Sequence, residues 1–149
     1  MAILSSIGEH FGIFVHQLGQ RQRSRTPIVV QDEYDMQDLL HALLRLHFDD
    51  VRPEDWVPSY AGKNSRLDFL IPKEAVVVEA KCVRDAKHAR DVGEEITLDA
   101  AKYDKHPDCE RLVAIVYDPG RHIGNPSGLK TDLETLKIKG NLISVYICN

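Results

Sequence analysis

Cysteine is scarce in this chain of 149 residues, and its placement says more than its number. Cys82, Cys109 and Cys148 lie far apart, form no CxxC pair and leave one thiol over however they combine. That argues against the disulfide scaffold of a secreted protein and against a zinc ribbon, and fits a reducing cytoplasm. Long apolar runs are missing too: no stretch approaches the ~20 residues of a bilayer span, and no basic segment leads into an apolar one at the N-terminus. Nothing here targets or crosses a membrane. Positive charge is in deficit, with 19 Lys and Arg against 23 Asp and Glu and a formal net charge of -4. This speaks against coating nucleic acid by electrostatics alone, but not against a site that meets a phosphate through a bound metal. Carboxylates clustered around a divalent cation lower the formal charge, and the ion restores positive potential where a phosphate would sit. Gly120, Gly124 and Gly128 lack the Gly-Lys-Ser/Thr of a phosphate-cradling loop and read as turn residues. The histidines include no HExxH or HNH-like cluster; His41 and His47 read as packing or surface residues.

What remains is an ordinary globular composition, 43% hydrophobic and 28% charged, sufficient for one compact domain that buries roughly 70% of its unfolded surface. Leu4, Ile7, Phe11, Phe14, Val15 and Leu18 recur at helical spacing and predict an amphipathic helix from Ile3 to Leu18, despite Gly8 and Gly12. Gln20 to Arg25 carries three arginines and reads as an exposed connection before Pro27; Ile28 to Val30 is too short to classify. Asp32 is the expected N-cap of a second helix running to about Phe48, with Met36, Leu39, Leu40, Leu43 and His47 on one face. Arg66 to Ile71 and Ala75 to Lys81 then predict a β-hairpin. A charged, mobile stretch from Val83 to Arg90 leads to Asp91, whose spacing to Glu94 matches a capping box opening a helix to about His106. Arg111 to Tyr117 reads as a buried strand, Asp118 to Gly128 as a loop, Lys130 to Lys137 as a short helix and Leu142 to Ile147 as a last strand. That order suits an α/β fold, a mixed sheet with helices on both faces.

The hairpin carries the chemistry. If residues 72–75 form a four-residue loop, Ile71 pairs with Val76, and the same register sets Asp68 opposite Glu79. Opposed side chains have Cβ atoms ~5 Å apart, so two carboxylates there repel unless a cation lies between them. Mg²⁺ is a hard ion that takes oxygen ligands, and Asp68, Glu79 and the carbonyl of Ala80 suit it. Alternation puts Lys81 on the face of Glu79 and Val77, and leaves Val76, Val78 and Ala80 for the core, as expected of an ionisable triad at the edge of a sheet. A lysine there can position the attacking water, or deprotonate it if neighbours lower its pKa. Taken alone, E-x-K on a strand is commonly a surface ion pair, and a one-residue slip of register would part Asp68 from Glu79.

These residues resemble the PD-(D/E)xK nucleases: RLDFLI at 66–71 supplies the first acid and VVVEAK at 76–81 the (D/E)xK. Leu67 stands where the pattern's proline would precede Asp68. The segments 31–44 (QDEYDMQDLLHALL), 58–70 (PSYAGKNSRLDFL) and 116–119 (VYDP) look like the DpnII/MboI-like restriction-endonuclease domains of prokaryotic defence systems. The resemblance implies a restriction-endonuclease-like fold with an αβββαβ core, divided as an N-terminal amphipathic helix and basic connection over 1–26 and the nuclease domain over 27–149. It implies Asp68 and Glu79 as ligands of Mg²⁺, for which Mn²⁺ would substitute, and Lys81 as the catalytic lysine, with products bearing a 5′-phosphate and a 3′-hydroxyl. It also implies an acid on the preceding helix, for which Glu33 is the candidate; first-turn charge favourable to the helix dipole is the alternative. Gln37, Glu95 and Tyr103 are supporting candidates, Glu95 and Tyr103 sharing a face of the third helix with Asp99. Tyr103 alone would read as core. Arg84, Lys87, His88 and Arg90 follow the catalytic strand as candidate phosphate contacts, diluted by Asp85 and Asp91, with a solvated loop as the plain alternative. The partner implied is DNA, with RNA left open, in a homo-oligomer or beside sensor or activating domains. A chain that kept the fold and lost the chemistry would be a nucleic-acid-binding or assembly module; the intact triad favours the enzyme.

Overall fold

In a computed structural model, which describes residues 1–53, 56–60 and 63–149, with the side chains of 56–60 and 63–65 left aside, the hairpin becomes the middle of a five-stranded sheet. The chain opens with α1 (Ala2–Gly19) and α2 (Glu33–Arg45), then runs through β1 (Arg52–Pro53), β2 (Trp56–Tyr60), β3 (Lys63–Arg66), β4 (Phe69–Ile71) and β5 (Val76–Cys82). After α3 (Ala86–Tyr103) come β6 (Arg111–Tyr117), α4 (Pro126–Leu133), β7 (Lys137–Ile138), β8 (Asn141–Leu142) and β9 (Ser144–Cys148). The sheet order is β1-β4-β5-β6-β9, antiparallel from β1 to β5 and parallel from β5 to β9. β2 with β3, and β7 with β8, form separate two-stranded ribbons.

The expected hairpin register holds: Ile71 pairs with Val76, Leu70 with Val77 and Phe69 with Val78. The connection is a 3₁₀ turn over Pro72–Glu74, closed by Ala75 in the left-handed region at φ 52°. Because β5 must cross to a parallel β6, the chain detours through α3, and parallel strands of this kind are covered on both faces. On one face α1 and α2 bring Leu4, Phe11, Met36 and Leu40 onto Val76, Val78, Ala80 and Ile115. On the other, α3 brings Val92, Ile96 and Tyr103 onto Leu70, Val77, Leu112 and Ala114. Full burial stabilises by about 1.5–3 kcal/mol for each large aliphatic side chain, so these two layers hold the sheet. α1 tolerates its glycines because Gly8 and Gly12 face β9: a Cβ at Gly8 would strike the Tyr146 ring, and one at Gly12 the Asn149 main chain.

Several expectations change. β5 is the central strand and all seven of its residues are buried, so the triad does not sit at a sheet edge; β4 pairs on one side of β5 and β6 on the other, which leaves the edges to β1 and β9. The third helix starts at Ala86, not Asp91. Asp85 caps it by accepting from the His88 N–H at 2.8 Å, so the stretch taken as mobile is its first turns. α2 is capped by Asp32 as expected, accepting from the Asp35 N–H, but it ends at Arg45; Met36, Leu40 and Leu44 are its buried residues, and His47 is exposed beyond its end. α4 begins at Pro126 behind the Asn125 cap, four residues before the helix read from sequence. No helix among the described residues is long and apolar enough to cross a membrane.

Candidate active site

The site lies where β4 begins and β5 ends. Asp68 sits one residue before β4, and its side chain replaces the next main-chain acceptor of that strand: Oδ2 accepts from the Ala80 N–H at 2.8 Å. Oδ1 accepts from Gln37 Nε2 of α2 at 2.9 Å, so two separate elements fix this carboxylate. A residue in a β-ladder turns its N–H and C=O to the same side, so the Ala80 carbonyl also points toward Asp68.

Beneath Asp68, on the α3 face, runs a buried polar chain. Glu79 Oε2 accepts from the Tyr103 hydroxyl at 2.6 Å, and Oε1 lies 2.8 Å from Lys81 Nζ. Lys81 Nζ is also 3.1 Å from Asp99 Oδ2, while Asp99 Oδ1 is 2.9 Å from Lys102 Nζ. Period-2 spacing puts Glu79 and Lys81 on one face of β5, and the helical i, i+4 spacing of Asp99 and Tyr103 meets them from α3. No buried side-chain nitrogen or oxygen among the described residues lacks a partner, as buried charge requires. Glu79 and Lys81 are only 3% and 9% exposed, and they lie behind Asp68 rather than in the wall of the adjoining cleft.

Burial first, and then the charge of Asp68, hold the Glu79 carboxyl well above its ordinary range. Burial likewise pushes Asp68 up to about 6, against the opposing pull of the Ala80 N–H. Each carboxylate is thus a site where added positive charge is favourable. Of the two roles open to Lys81, its surroundings favour positioning over deprotonation. Burial disfavours its charge, but Glu79 and Asp99 outweigh burial and raise its pKa, so this lysine is a firmly held ammonium and not a base poised by lowering. Burial and the same two carboxylates push the Tyr103 phenol up, which keeps it an O–H donor.

A cleft of about 700 Å³ opens over Asp68, with Glu33, Gln37, Arg84, His88 and Glu95 among its lining residues. Glu33 Oε2 accepts from the Cys82 N–H at 3.3 Å, at the end of β5, and its charge acts on both Asp68 and Lys81. Arg84, Lys87 and Arg90 are exposed, and only Arg84 lines the cleft. His88 is largely buried where it lines the cleft: Nδ1 accepts from the Arg84 N–H at 3.4 Å, and Nε2 lies 3.4 Å from Glu95 Oε2. That leaves Glu95 a partner of His88 rather than of the carboxylates. The residues that sequence reading did not place are Asp99, as a partner of Lys81, and Lys102. Their only signal was the shared α3 face with Tyr103.

Among the described residues no three His, Cys, Asp or Glu side chains gather as a metal cluster. The oxygen donors here are two carboxylates and the carbonyl of Ala80, a hard set that fits Mg²⁺, and the raised Asp68 and Glu79 are the groups a cation would relieve. No curated protein and no solved structure matches the chain. A family model does: the one described as REase_DpnII-MboI matches residues 2–148, which takes in α1, the whole sheet and every residue of the site. With an acid before β4 and E-x-K on β5 in a helix-covered mixed sheet, the chain belongs to the DpnII/MboI restriction-endonuclease family, whose members are DNA endonucleases.

Proposed function

We propose that this protein is a Mg²⁺-dependent DNA endonuclease that hydrolyses phosphodiester bonds as the effector nuclease of a prokaryotic anti-phage defence system. The observation that carries the reading is the meeting of Asp68, Glu79 and Lys81 at one end of β5, each held by a partner of its own. Asp68, Glu79 and the Ala80 carbonyl are the residues that would hold Mg²⁺, with Mn²⁺ as a substitute. When bound, the ion supplies a Lewis acid for the phosphate and acidifies its water.

The chain's own residues do the positioning. Gln37 fixes the second oxygen of Asp68 and the Tyr103 hydroxyl one oxygen of Glu79, so both carboxylates are held in place. Lys81, kept cationic by Glu79 and Asp99, contributes positive charge and N–H donors at the end of the strand, where they orient the attacking water and balance charge gathering on the phosphate. Glu33 stands over the C-terminal end of β5 and is the fourth acid of the reading. Cutting both strands of a duplex takes two such sites, so the working form is an oligomer, or a chain gathered by an activating partner.

The test is incubation of the purified protein with plasmid DNA and with RNA, in Mg²⁺ and in EDTA, beside Asp68→Ala and Lys81→Ala. DNA cleavage in Mg²⁺ that both substitutions abolish is the expected result. Cleavage surviving both would overturn the site, and duplex binding without cleavage at any protein concentration would favour a binding module with a nuclease fold.

A further inference from the structure

The ends of β5, β6 and β9 are level, with Cys82, Tyr117 and Cys148 in one row across the sheet. The candidate site sits at this edge, and so does a feature the site does not use. α1 runs in the same sense as β9, Gly8 against Tyr146 and Gly12 against Asn149. The turns after Gly12 carry the chain roughly 10 Å past the end of the strand. From there the connection doubles back, with the Ile28 N–H donating to the Leu18 carbonyl at 3.3 Å, buries Val30 and reaches the Asp32 cap of α2, beside Glu33 and Cys82. Residues 20–31 therefore cross the edge of the sheet from β9 toward the site.

This crossing is basic in a protein of net charge -4: it holds Arg21, Arg23 and Arg25, and no Asp or Glu lies between Glu9 and Asp32. Among the described residues no carboxylate pairs with any of the three. Arg21 donates from Nη1 to the Thr26 carbonyl and Arg25 from Nε to the Gln22 carbonyl, so two of the guanidinium groups shape the loop with one nitrogen each; Arg23 and Arg25 are exposed and Arg21 half-buried. Arg23 and Ser24 have φ of 59° and 51°, left-handed backbone that glycine adopts at no steric cost. An arginine is thus kept where the turn itself disfavours one, and strain of this kind marks functional segments. The turn after β6 repeats the pattern: exposed Arg121 has φ 53° and lines the cavity between α1 and the end of β6. Arg84, leaving β5, completes the row.

We propose that Arg21, Arg23, Arg25 and Arg121, in line with Arg84, form a phosphate-contacting track along the C-terminal edge of the parallel strands, which holds the backbone of duplex DNA to one side of the scissile bond. Duplex DNA presents a negative charge every ~1.7 Å, and strands set ~4.8 Å apart spread these arginines over several phosphates. The contacts position the duplex and carry no sequence information. The inference rests on the nuclease reading.

The experiment measures binding of the full chain to a duplex of about 30 base pairs in EDTA across a NaCl series, for wild type, Arg21→Gln/Arg23→Gln/Arg25→Gln, Arg121→Gln, and Lys73→Gln at the opposite end of the sheet. Each phosphate contact adds about 0.9 to the slope of log K against log salt. The triple variant is expected to lose about 2–3 from the slope and Arg121→Gln about 1, with Lys73→Gln unchanged. Far-UV circular dichroism should show the wild-type fold in all of them, and Lys73→Gln should cleave as wild type does. A triple variant with the wild-type slope overturns the track while leaving the nuclease reading intact. Wild-type protein that neither binds nor cuts duplex DNA overturns both.

Discussion

Replacing Lys81 by methionine removes the ammonium that lies 2.8 Å from Glu79 and 3.1 Å from Asp99 while keeping most of the side-chain volume. Asp99 retains Lys102, but Glu79, 3% exposed, is left with the Tyr103 hydroxyl as its only described partner and with Asp68 as a repelling neighbour. Stranding one member of a buried ion pair costs up to about 3–5 kcal/mol, reached at a pH high enough to keep Glu79 ionised, against about 5–15 kcal/mol of total stability for a domain of this kind. Lys81→Met should therefore lower the urea midpoint in EDTA substantially and the melting temperature on the order of 10 °C. Adding Glu79→Gln removes the stranded charge, so the double variant should recover most of the loss, with a coupling of about 2 kcal/mol or more in the double-mutant cycle. A Lys81→Met protein within about 0.5 kcal/mol of wild type, or a double variant no more stable than the single, would refute the view that Lys81 neutralises a buried Glu79 charge.

Tyr103→Phe deletes only the hydroxyl that donates to Glu79 at 2.6 Å; a charge-assisted bond of this kind is worth about 1.5–3 kcal/mol, and calorimetry should register that loss beside reduced cleavage. Asp68 gives a pH signature. Its pKa lies near 6 in the fold and near 3.8 in the unfolded chain, so the folded state binds the extra proton. Stability in EDTA is then greatest below pH 4 as far as this group is concerned and falls by up to about 3 kcal/mol as pH rises through 6. Asp68→Asn should flatten that slope in urea melts taken from pH 4 to 7, and an unchanged slope would count against the assignment. Gly8→Ala raises helix propensity by about 1 kcal/mol, yet its Cβ would overlap the Tyr146 ring; overpacking of about 1–3 kcal/mol should win, giving a lower melting temperature.

Local chemistry made part of this protein legible before any coordinates. The hairpin register is one case: a short turn at residues 72–75 aligns both strands, because neighbours in sequence leave few ways to close the loop. The Asp32 cap and the strand over Arg111–Tyr117 were equally local, and so was the face shared by Glu79 and Lys81, which alternation alone dictates. Errors fell where two local signals competed. Asp91 with Glu94 spaces as a capping box, but the helix begins earlier, at Ala86, behind Asp85, whose carboxylate takes the His88 N–H.

Only the tertiary structure decided the rest. Sequence spacing placed Asp99 and Tyr103 on one helix face, but the crossover that lays α3 on β5 chose Lys81 and Glu79 as their partners. That choice decided between the two roles open to Lys81, since Asp99 of α3 joins Glu79 in raising its pKa against burial. It also buried Glu79 and Lys81, because α3 covers the face of β5 on which they lie. The sequence by itself determined which residues could share a face and repel one another. The packing of α2 and α3 around β5 determined what neutralises them, because desolvation and charge pairing depend on neighbours that are distant in the chain.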